Sequence, residues 1–331
     1  MMRTLRTLQA TCSHNARALL VLFFSSYCFA DINILAHKGL HIPFRTPPEG
    51  ADCVAELIDD PLKYPEKTRY FLENTLPAIR EAFAIGATMV SINLWATADN
   101  RVVLFHDEKL DCRTDGAGSI ESKTFAALRS LNVGWDYTPD GKKTFPWRDK
   151  TGSELVTMPS LEEVMAENPG RSFWIVIRTS NDEMARVILS KLSGYPEMVR
   201  RSALFASNRV NELVRGEFKE TLKELEIPRL STQKSDECLK AFRVGHTLPE
   251  VCANLDVIVS RDSALKLGDD VREFSRELGK MSPPSSLSVG GELGELVDDT
   301  KSAKVIKSNR QFFRAFMTGR IDLVGPAFAG P

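Results

Sequence analysis

Two histidines and a glutamate stand where side chains of this 331-residue chain can do acid–base chemistry. His37 closes the run Ile32-Asn33-Ile34-Leu35-Ala36, Glu73 opens Glu73-Asn74-Thr75 ahead of a helical pattern, and His106 follows Arg101-Val102-Val103-Leu104-Phe105. Only five histidines are present, so two at the ends of short apolar runs carry weight. Two imidazoles and a carboxylate converging on one point suit phosphodiester chemistry, in which one group takes a proton and another gives one back. Arg178 ends the strongly apolar run from Ser172 and supplies a guanidinium that can grip a phosphate bidentately. Lys38 adds a second cation. Taken singly, each residue has a plainer reading. A histidine is often a satisfied core or loop residue, Glu73 can be a helix N-terminal acid favoured by the dipole, and Arg178 can snorkel from a strand end. Asp107 reads as a loop-orienting group rather than a metal ligand. Trp95, Trp135, Trp147 and Trp174 read as core or lip residues.

The elements that must position these residues alternate. Strands are expected at 32–36, 88–94, 101–105, 172–178, 203–206, 256–260 and 321–324, with a further candidate at Pro228–Ser231. Helices are expected at 73–85, 123–131, 160–167 (with Ser160 and Glu163 forming a capping box), 182–192, 210–226, 236–242, 269–278 and 309–317. The Ser-, Pro- and Gly-rich stretch 281–294 has no clear strand. Repeated alternation over about 300 residues with near eight strands favours a parallel (β/α)8 barrel over an open sheet. In such a barrel the site lies at the C-terminal strand ends, where His37, Ser91, Asn93, His106 and Arg178 would gather. Positions 91 and 93 share one strand face, as do Trp174, Val176 and Arg178. Insertions are expected at about 40–71, a Pro-rich loop with Cys53, and at 137–158, which looks like a hairpin. No internal repeat or second core is evident, so residues 31–331 read as one domain.

Composition is that of an ordinary globular protein, 43% hydrophobic and 26% charged with net charge −1. No basic stripe stands out, so nucleic acid is not an expected partner. Residues 1–30 carry Arg3, Arg6 and Arg17, then Ala18-Leu19-Leu20-Val21-Leu22-Phe23-Phe24, then small residues at 28 and 30. That is the pattern of a signal peptide cleaved near Ala30, and it implies a secreted or periplasmic protein. An uncleaved anchor is the alternative, although the apolar run is short for a bilayer. Cys53, Cys112, Cys238 and Cys252 remain after cleavage. In an exported protein they suggest disulfides, with Cys238–Cys252 the simplest pair and Cys53–Cys112 the other, against free buried thiols. Their spacing does not match a zinc site.

In this order the motifs resemble the glycerophosphodiester phosphodiesterase family. His37-Lys38-Gly39 is similar to the family's His-Arg-Gly, Glu73-Asn74-Thr75 matches its Glu-Asn-Thr, and Gly86-Ala87, Thr97-Ala98-Asp99, His106-Asp107 and Met158-Pro159-Ser160-Leu161-Glu162-Glu163 follow in sequence. An exported branch is similar further, through the long cysteine-bearing loop, Leu110-Asp111-Cys112-Arg113-Thr114-Asp115-Gly116, the segments around Cys238 and Cys252, and the tail Arg320–Pro326. The resemblance implies a barrel of the phospholipase-C-like phosphodiesterase type, a divalent metal (Ca²⁺ or Mg²⁺), and cleavage of a glycerophosphodiester by attack of its own neighbouring hydroxyl. It implies His37 and His106 as the acid/base pair and Glu73 as a metal ligand, while Lys38 and Arg178 are read toward the phosphate from their charge alone.

The departures are specific. The family's Glu-x-Asp falls on Ser91 and Asn93, so two metal carboxylates are gone, and hard cations need such charged oxygens. The family's arginine is Lys38, which keeps the charge and loses the fork. Val176-Ile177-Arg178 stands where many members carry Glu-x-Lys, and Met317-Thr318-Gly319-Arg320-Ile321 replaces a Trp-Thr-Asn-Arg-Ile. Two functions remain open. One is an exported phosphoric diester hydrolase with an eroded metal site, acting on glycerophosphodiesters or related lipid head-group diesters. The other is a catalytically inactive barrel that binds a phosphate-containing or lipid-derived ligand. A membrane surface is compatible with either and required by neither. Barrel shape alone also admits an unrelated sugar-active protein.

Overall fold

Strand and helix alternate in the computed structural model, which describes residues 33–41, 44–45, 54–57, 71–229, 232–259, 266–267, 270–282, 286–289 and 315–318. The predicted signal segment, Cys53, the strand expected at 321–324 and the Arg320–Pro326 tail lie outside the described residues. The chain begins with β1 (Asn33–Ala36), β2 (Phe44–Arg45) and β3 (Ala55–Leu57). Next come α1 (Leu76–Ala84), β4 (Met89–Ala96), β5 (Val102–Leu104), α2 (Phe125–Arg129) and β6 (Tyr137–Thr138). Then follow α3 (Leu161–Glu167), β7 (Ser172–Ile177), α4 (Asp182–Ser193), α5 (Pro196–Val199) and β8 (Ala203–Phe205). The rest is α6 (Asn208–Arg215), α7 (Thr232–Gly245), β9 (Asp256–Val259), α8 (Val271–Lys280), β10 (Ser286–Val289) and β11 (Ala315–Thr318).

Seven strands run parallel in the order β8-β7-β4-β1-β11-β10-β9. The eighth place, between β8 and β9, is taken by the irregular segment 226–229. Glu226 bridges Ala203 in parallel, Leu204 N–H donates to Glu226 O at 2.7 Å, and Asp256 N–H donates to Arg229 O at 3.1 Å. Arg229 N–H donates to the Asp256 carboxylate at 2.7 Å. The fold is the expected TIM barrel, with a seam of irregular chain in place of one strand. Pro228 lacks the N–H a ladder needs, and Pro228 and Arg229 are not strand; the rest of the strand expected at 228–231 lies outside the described residues.

The outer strand faces are apolar and dry. Val90, Ile92 and Leu94 of β4, Phe173, Ile175 and Ile177 of β7, and Leu204 of β8 pack against α1, α3, α4, α5 and α6. Alternation therefore turns Ser91, Asn93, Trp174, Val176, Ala203 and Phe205 to the barrel interior. Ser160 caps α3 and Glu163 answers it, the full capping box the spacing predicts.

Several boundaries differ from expectation. β5 runs antiparallel to β4, so 101–105 is the return arm of a hairpin and not a barrel strand. The helix expected over 210–226 stops at Arg215, because Gly216 leaves helical geometry at its C-cap. The short helix expected at 236–242 extends over Thr232–Gly245. A strand, Ser286–Val289, occupies part of the Ser- and Pro-rich stretch. Ala315–Met317 is strand and not the end of a helix, because this run pairs with both β1 and β10; backbone pairing to two strands overrides helical spacing. The 137–158 stretch is not a self-paired hairpin: β6 pairs parallel with β3, tying it to the 40–71 insertion in a small sheet β2-β3-β6.

Cys238 and Cys252 form a disulfide with Cα atoms 5.7 Å apart. Cys112 is disulfide-bonded as well, and its expected partner, Cys53, is one of the residues outside the description. Among the described residues no helix is long and apolar enough to cross a membrane.

Candidate active site

The turn after β1 sets the first half of the site. Lys38 and Gly39 take positive φ (60° and 90°), which turns the chain sharply off the strand. A Cβ on Gly39 would lie 2.8 Å from the Ala78 carbonyl carbon, so only glycine lets the turn seat against α1. Leu40 N–H donates to Ala78 O, and Asn74 N–H to Lys38 O, each at 2.9 Å. These bonds hold His37, Lys38 and Glu73 together although 36 residues separate His37 from Glu73.

Glu73 is buried among cations. Lys38 Nζ lies 3.1 Å from its Oε2, Arg113 Nη1 lies 2.9 Å from its Oε1, and His41 Nε2 lies 3.8 Å from Oε2. Burial raises the pKa of this carboxyl, but Arg113 and then Lys38 outweigh it and hold the group well below the usual carboxylate range. Burial pulls Lys38 down, only partly offset by Glu73. The backbone N–H of Lys38 donates to Ser91 Oγ at 2.7 Å.

The second half arrives by the β4–β5 hairpin. Leu94 pairs with Leu104, and Phe105 N–H donates to Asn93 O at 3.1 Å, so His106 returns to the level of Asn93. The sequence placed His106 at the end of a barrel strand; it reaches the mouth on the hairpin's return arm instead. His106 Nδ1 lies 2.6 Å from Asp107 Oδ1, and Arg178 Nη2 lies 2.5 Å from His106 Nε2. A guanidinium nitrogen only donates, so Nε2 is the accepting nitrogen and the ring proton sits on Nδ1, given to Asp107. Burial lowers the His106 pKa, and the Asp107 hydrogen bond restores only part of it. Asp107 also accepts from Arg113 Nε at 2.6 Å; burial raises its pKa, and the bonds to His106 and Arg113 bring it below the ordinary value.

Asn93 joins the halves. Its Oδ1 accepts from Arg178 Nε at 3.1 Å, and its N–H and Nδ2 donate to Asn74 Oδ1 at 3.0 and 3.2 Å. Two buried polar atoms beside this network have no partner, His37 Nδ1 and Asn74 Nδ2. The His37 pKa falls well below the ordinary value, chiefly through burial and next through the Lys38 charge.

The expected residues Lys38, Glu73, Ser91, Asn93, His106 and Arg178 thus meet in one network, and His37 adjoins it on the turn that carries Lys38. Three further members were not singled out as site residues from sequence: Arg113, His41 and Asn74. Arg113 lies in the quoted Leu110–Gly116 segment, and that segment was the only available signal. His41 follows His37 by four residues in a Pro-rich loop with no periodicity to mark it.

A divalent cation does not fit this donor set. Both Glu73 oxygens face cationic nitrogens, Ser91 Oγ accepts from backbone, and Asn93 Oδ1 accepts from Arg178. Among the described residues no group of three or more His, Cys, Asp or Glu is placed to hold a metal ion. Three fixed cations, Lys38, Arg113 and Arg178, stand against two carboxylates, Glu73 and Asp107. With its histidines neutral the cluster therefore carries a surplus positive charge and suits an anion.

Residues 64–237 match the family model described as the glycerophosphoryl diester phosphodiesterase family. An uncharacterized protein of Mycobacterium tuberculosis is 34% identical over 113 residues, 34% of this chain and 36% of that protein. Human glycerophosphodiester phosphodiesterase 1 is 47% identical over 60 residues, 18% of each chain. The matched stretch thus spans about a third or less of these relatives' own length. Among solved structures, the glycerophosphoryl diester phosphodiesterase domain of the Mycobacterium protein superposes with TM-score 0.56 at 17% identity, covering 90% of this chain and 98% of that one. An Oleispira antarctica phosphodiesterase, in complex with its product sn-glycerol-3-phosphate, superposes with TM-score 0.51 at 15% identity over 91% and 98%. At these identities the superpositions speak for the fold.

Proposed function

The chain belongs to the glycerophosphoryl diester phosphodiesterase family, and from that premise we propose that it hydrolyses a glycerophosphodiester with fixed cations where the family resemblance implies a metal. The observation that carries the reading is the orientation of His106: Nδ1–H held by Asp107 and Nε2 turned to Arg178 as an acceptor. That ring is set to take a proton at Nε2 once Arg178 moves to the substrate. Arg178 is already charged, forked and at the mouth, so it suits the phosphate. The product held by the Oleispira relative is the half of the diester expected to remain.

The steps balance with the chain's own residues. A substrate hydroxyl next to the phosphate gives its proton to His106 Nε2 as its oxygen bonds to phosphorus. The bond from phosphorus to the leaving alcohol breaks, and His37 delivers the proton that the alcohol takes. His37 is kept neutral by burial and by Lys38; a bound phosphodiester anion opposes both, so on substrate binding the ring takes a proton from solvent and becomes the acid. Water then opens the cyclic ester with the two histidines in reversed roles.

The test is hydrolysis of a panel of glycerophosphodiesters with Ca²⁺, with Mg²⁺ and with chelator. Turnover is expected in all three, and His37→Ala and His106→Ala should each lower it by about 100-fold or more. No turnover under conditions where a related enzyme is active would overturn the reading. One observation favours a second reading, a binding protein without catalysis: Arg178 covers His106 Nε2 while the carboxylates at 91 and 93 are missing. That reading expects diester binding, no hydrolysis and no assay change in His37→Ala. We also place the protein outside the cytoplasm, a reading supported by the basic-then-apolar pattern before Asp31 and by the Cys238–Cys252 disulfide. N-terminal sequencing of protein recovered from the extracytoplasmic fraction tests it, with a first residue at Asp31 expected.

A further inference from the structure

The barrel interior is divided into a closed polar side and an open apolar side. On β4 the inward residues Ser91 and Asn93 are 1% and 2% exposed. On β7 and β8 the inward residues Trp174 and Val176 are half-buried and Phe205 is 50% exposed, while Ala203 at the start of β8 is buried. Their outward neighbours Phe173, Ile175, Ile177 and Leu204 are buried against the helices, so the exposure belongs to the interior face and not to loose packing of these strands.

Register fixes where Phe205 stands. Asn93 pairs with Val176 and Val176 pairs with Phe205, so the three share one layer of the barrel. Phe205 is two strand spacings, about 10 Å, from Asn93. Arg178 lies one inward position above Val176 on the same strand, with its Nε on Asn93 Oδ1. A phosphodiester whose phosphate meets Arg178 and His106 has two arms. One reaches the α1 side, where Asn74 Nδ2 lacks a partner and suits a hydroxyl group. The other passes over Val176 to the Phe205 ring.

We propose that Trp174, Val176 and Phe205 form a subsite for an apolar alcohol arm, so that the preferred diester joins glycerol through phosphate to an alkyl-bearing, uncharged alcohol. This rests on the diester reading of the site and narrows its substrate class. A large aromatic ring left half in water on the inward strand face gains from an apolar guest. A cationic head group is the poorer occupant, because Lys38, Arg113 and Arg178 outnumber Glu73 and Asp107 beside it.

The test uses the full chain and three soluble probes below any micelle-forming concentration: the glycerol phosphodiesters of octanol, ethanol and choline. Binding is followed by titration calorimetry, and hydrolysis separately. The octyl diester is expected to bind about tenfold or more tighter than the ethyl diester, because several additional methylenes leave water. Phe205→Ser should bring that ratio below about threefold, and Phe205→Leu, which keeps an apolar side chain, should hold most of it. A wild-type ratio near one, a ratio that survives Phe205→Ser, or a choline diester bound more tightly than the octyl diester would each overturn the subsite. An octyl preference without turnover of any probe would instead overturn the hydrolase reading and leave the subsite standing.

Discussion

At 3% exposure, with Glu73 on one side and Asp107 on the other, Arg113 keeps a buried and a half-buried carboxylate ionised at once. It also donates to the Tyr137 hydroxyl at 2.7 Å, which links the site to the small sheet through β6. Arg113→Met removes the partner and leaves buried negative charge, so unfolding free energy should fall by about 3–5 kcal/mol, read from urea denaturation. Arg113→Lys should recover only part of this, since one ammonium cannot span three acceptors. His41 gives the pH dependence. Burial lowers its pKa from 6.5 to about 4, so as pH falls the unfolded chain takes up the proton first. The stability this residue contributes is complete above the unfolded value and is lost between pH 6.5 and about 4, a drop on the order of 3 kcal/mol. His37 shifts in the same direction. His41→Gln should therefore flatten the decline in urea midpoint between pH 7 and pH 5; an unchanged slope would show that the imidazole does not titrate in that window. The histidines at 37 and 106 were legible because each ends an apolar run in a recognisable motif. Arg113 and His41 were not, because what makes them site residues is the closure of loops around Glu73, and no local pattern encodes that.

At the level of elements, two short devices place the site. One is the turn after β1. Gly39→Ala would meet both an unfavourable φ and the Ala78 backbone. It should cost about 2 kcal/mol or more and depress turnover, since His37 and Lys38 sit on the same turn; an unaltered melting temperature would count against that geometry. The other is the β4–β5 hairpin with α3 behind it, where Leu104 N–H donates to Pro159 O at 3.0 Å. Ser160→Ala breaks the α3 capping box and should cost about 1 kcal/mol, measurable as a shift in urea midpoint with turnover retained. The α3 cap was readable from Ser160 and Glu163 alone, because capping is local chemistry. The direction of β5 was not, because an apolar run of three residues looks the same parallel or antiparallel. The last strand, β11, was masked by helical spacing for a similar reason: its pairing with β1 joins residues more than 280 apart.

Across the whole molecule, the alternation of strand and helix was enough to specify a barrel, and burial of every outward strand residue on β4 and β7 explains why. The interior was less legible, since which inward residues stay dry depends on neighbours supplied by other strands. The Cys238–Cys252 link closes a short loop, 14 residues in sequence separation, between α7 and β9. A Cys238→Ala/Cys252→Ala variant should lose about 3 kcal/mol on a chain-entropy argument while keeping turnover; equal loss of both would mean that the link shapes the site itself. This clip stands beside the seam at 226–229, and the seam has a consequence for motion. Along β4, β7 and β8 the wall is a regular ladder, but here a few hydrogen bonds through a proline-containing segment join β8 to β9. Local opening is favoured where backbone pairing is sparse, so the amides of Leu204 and Asp256 should exchange with deuterium sooner than those of Ile92 or Ile175. Such breathing would carry the β8 edge outward and make the bore of the barrel elastic at one place, so guests too bulky for the resting aperture would enter at a rate set by the seam rather than by the chemistry.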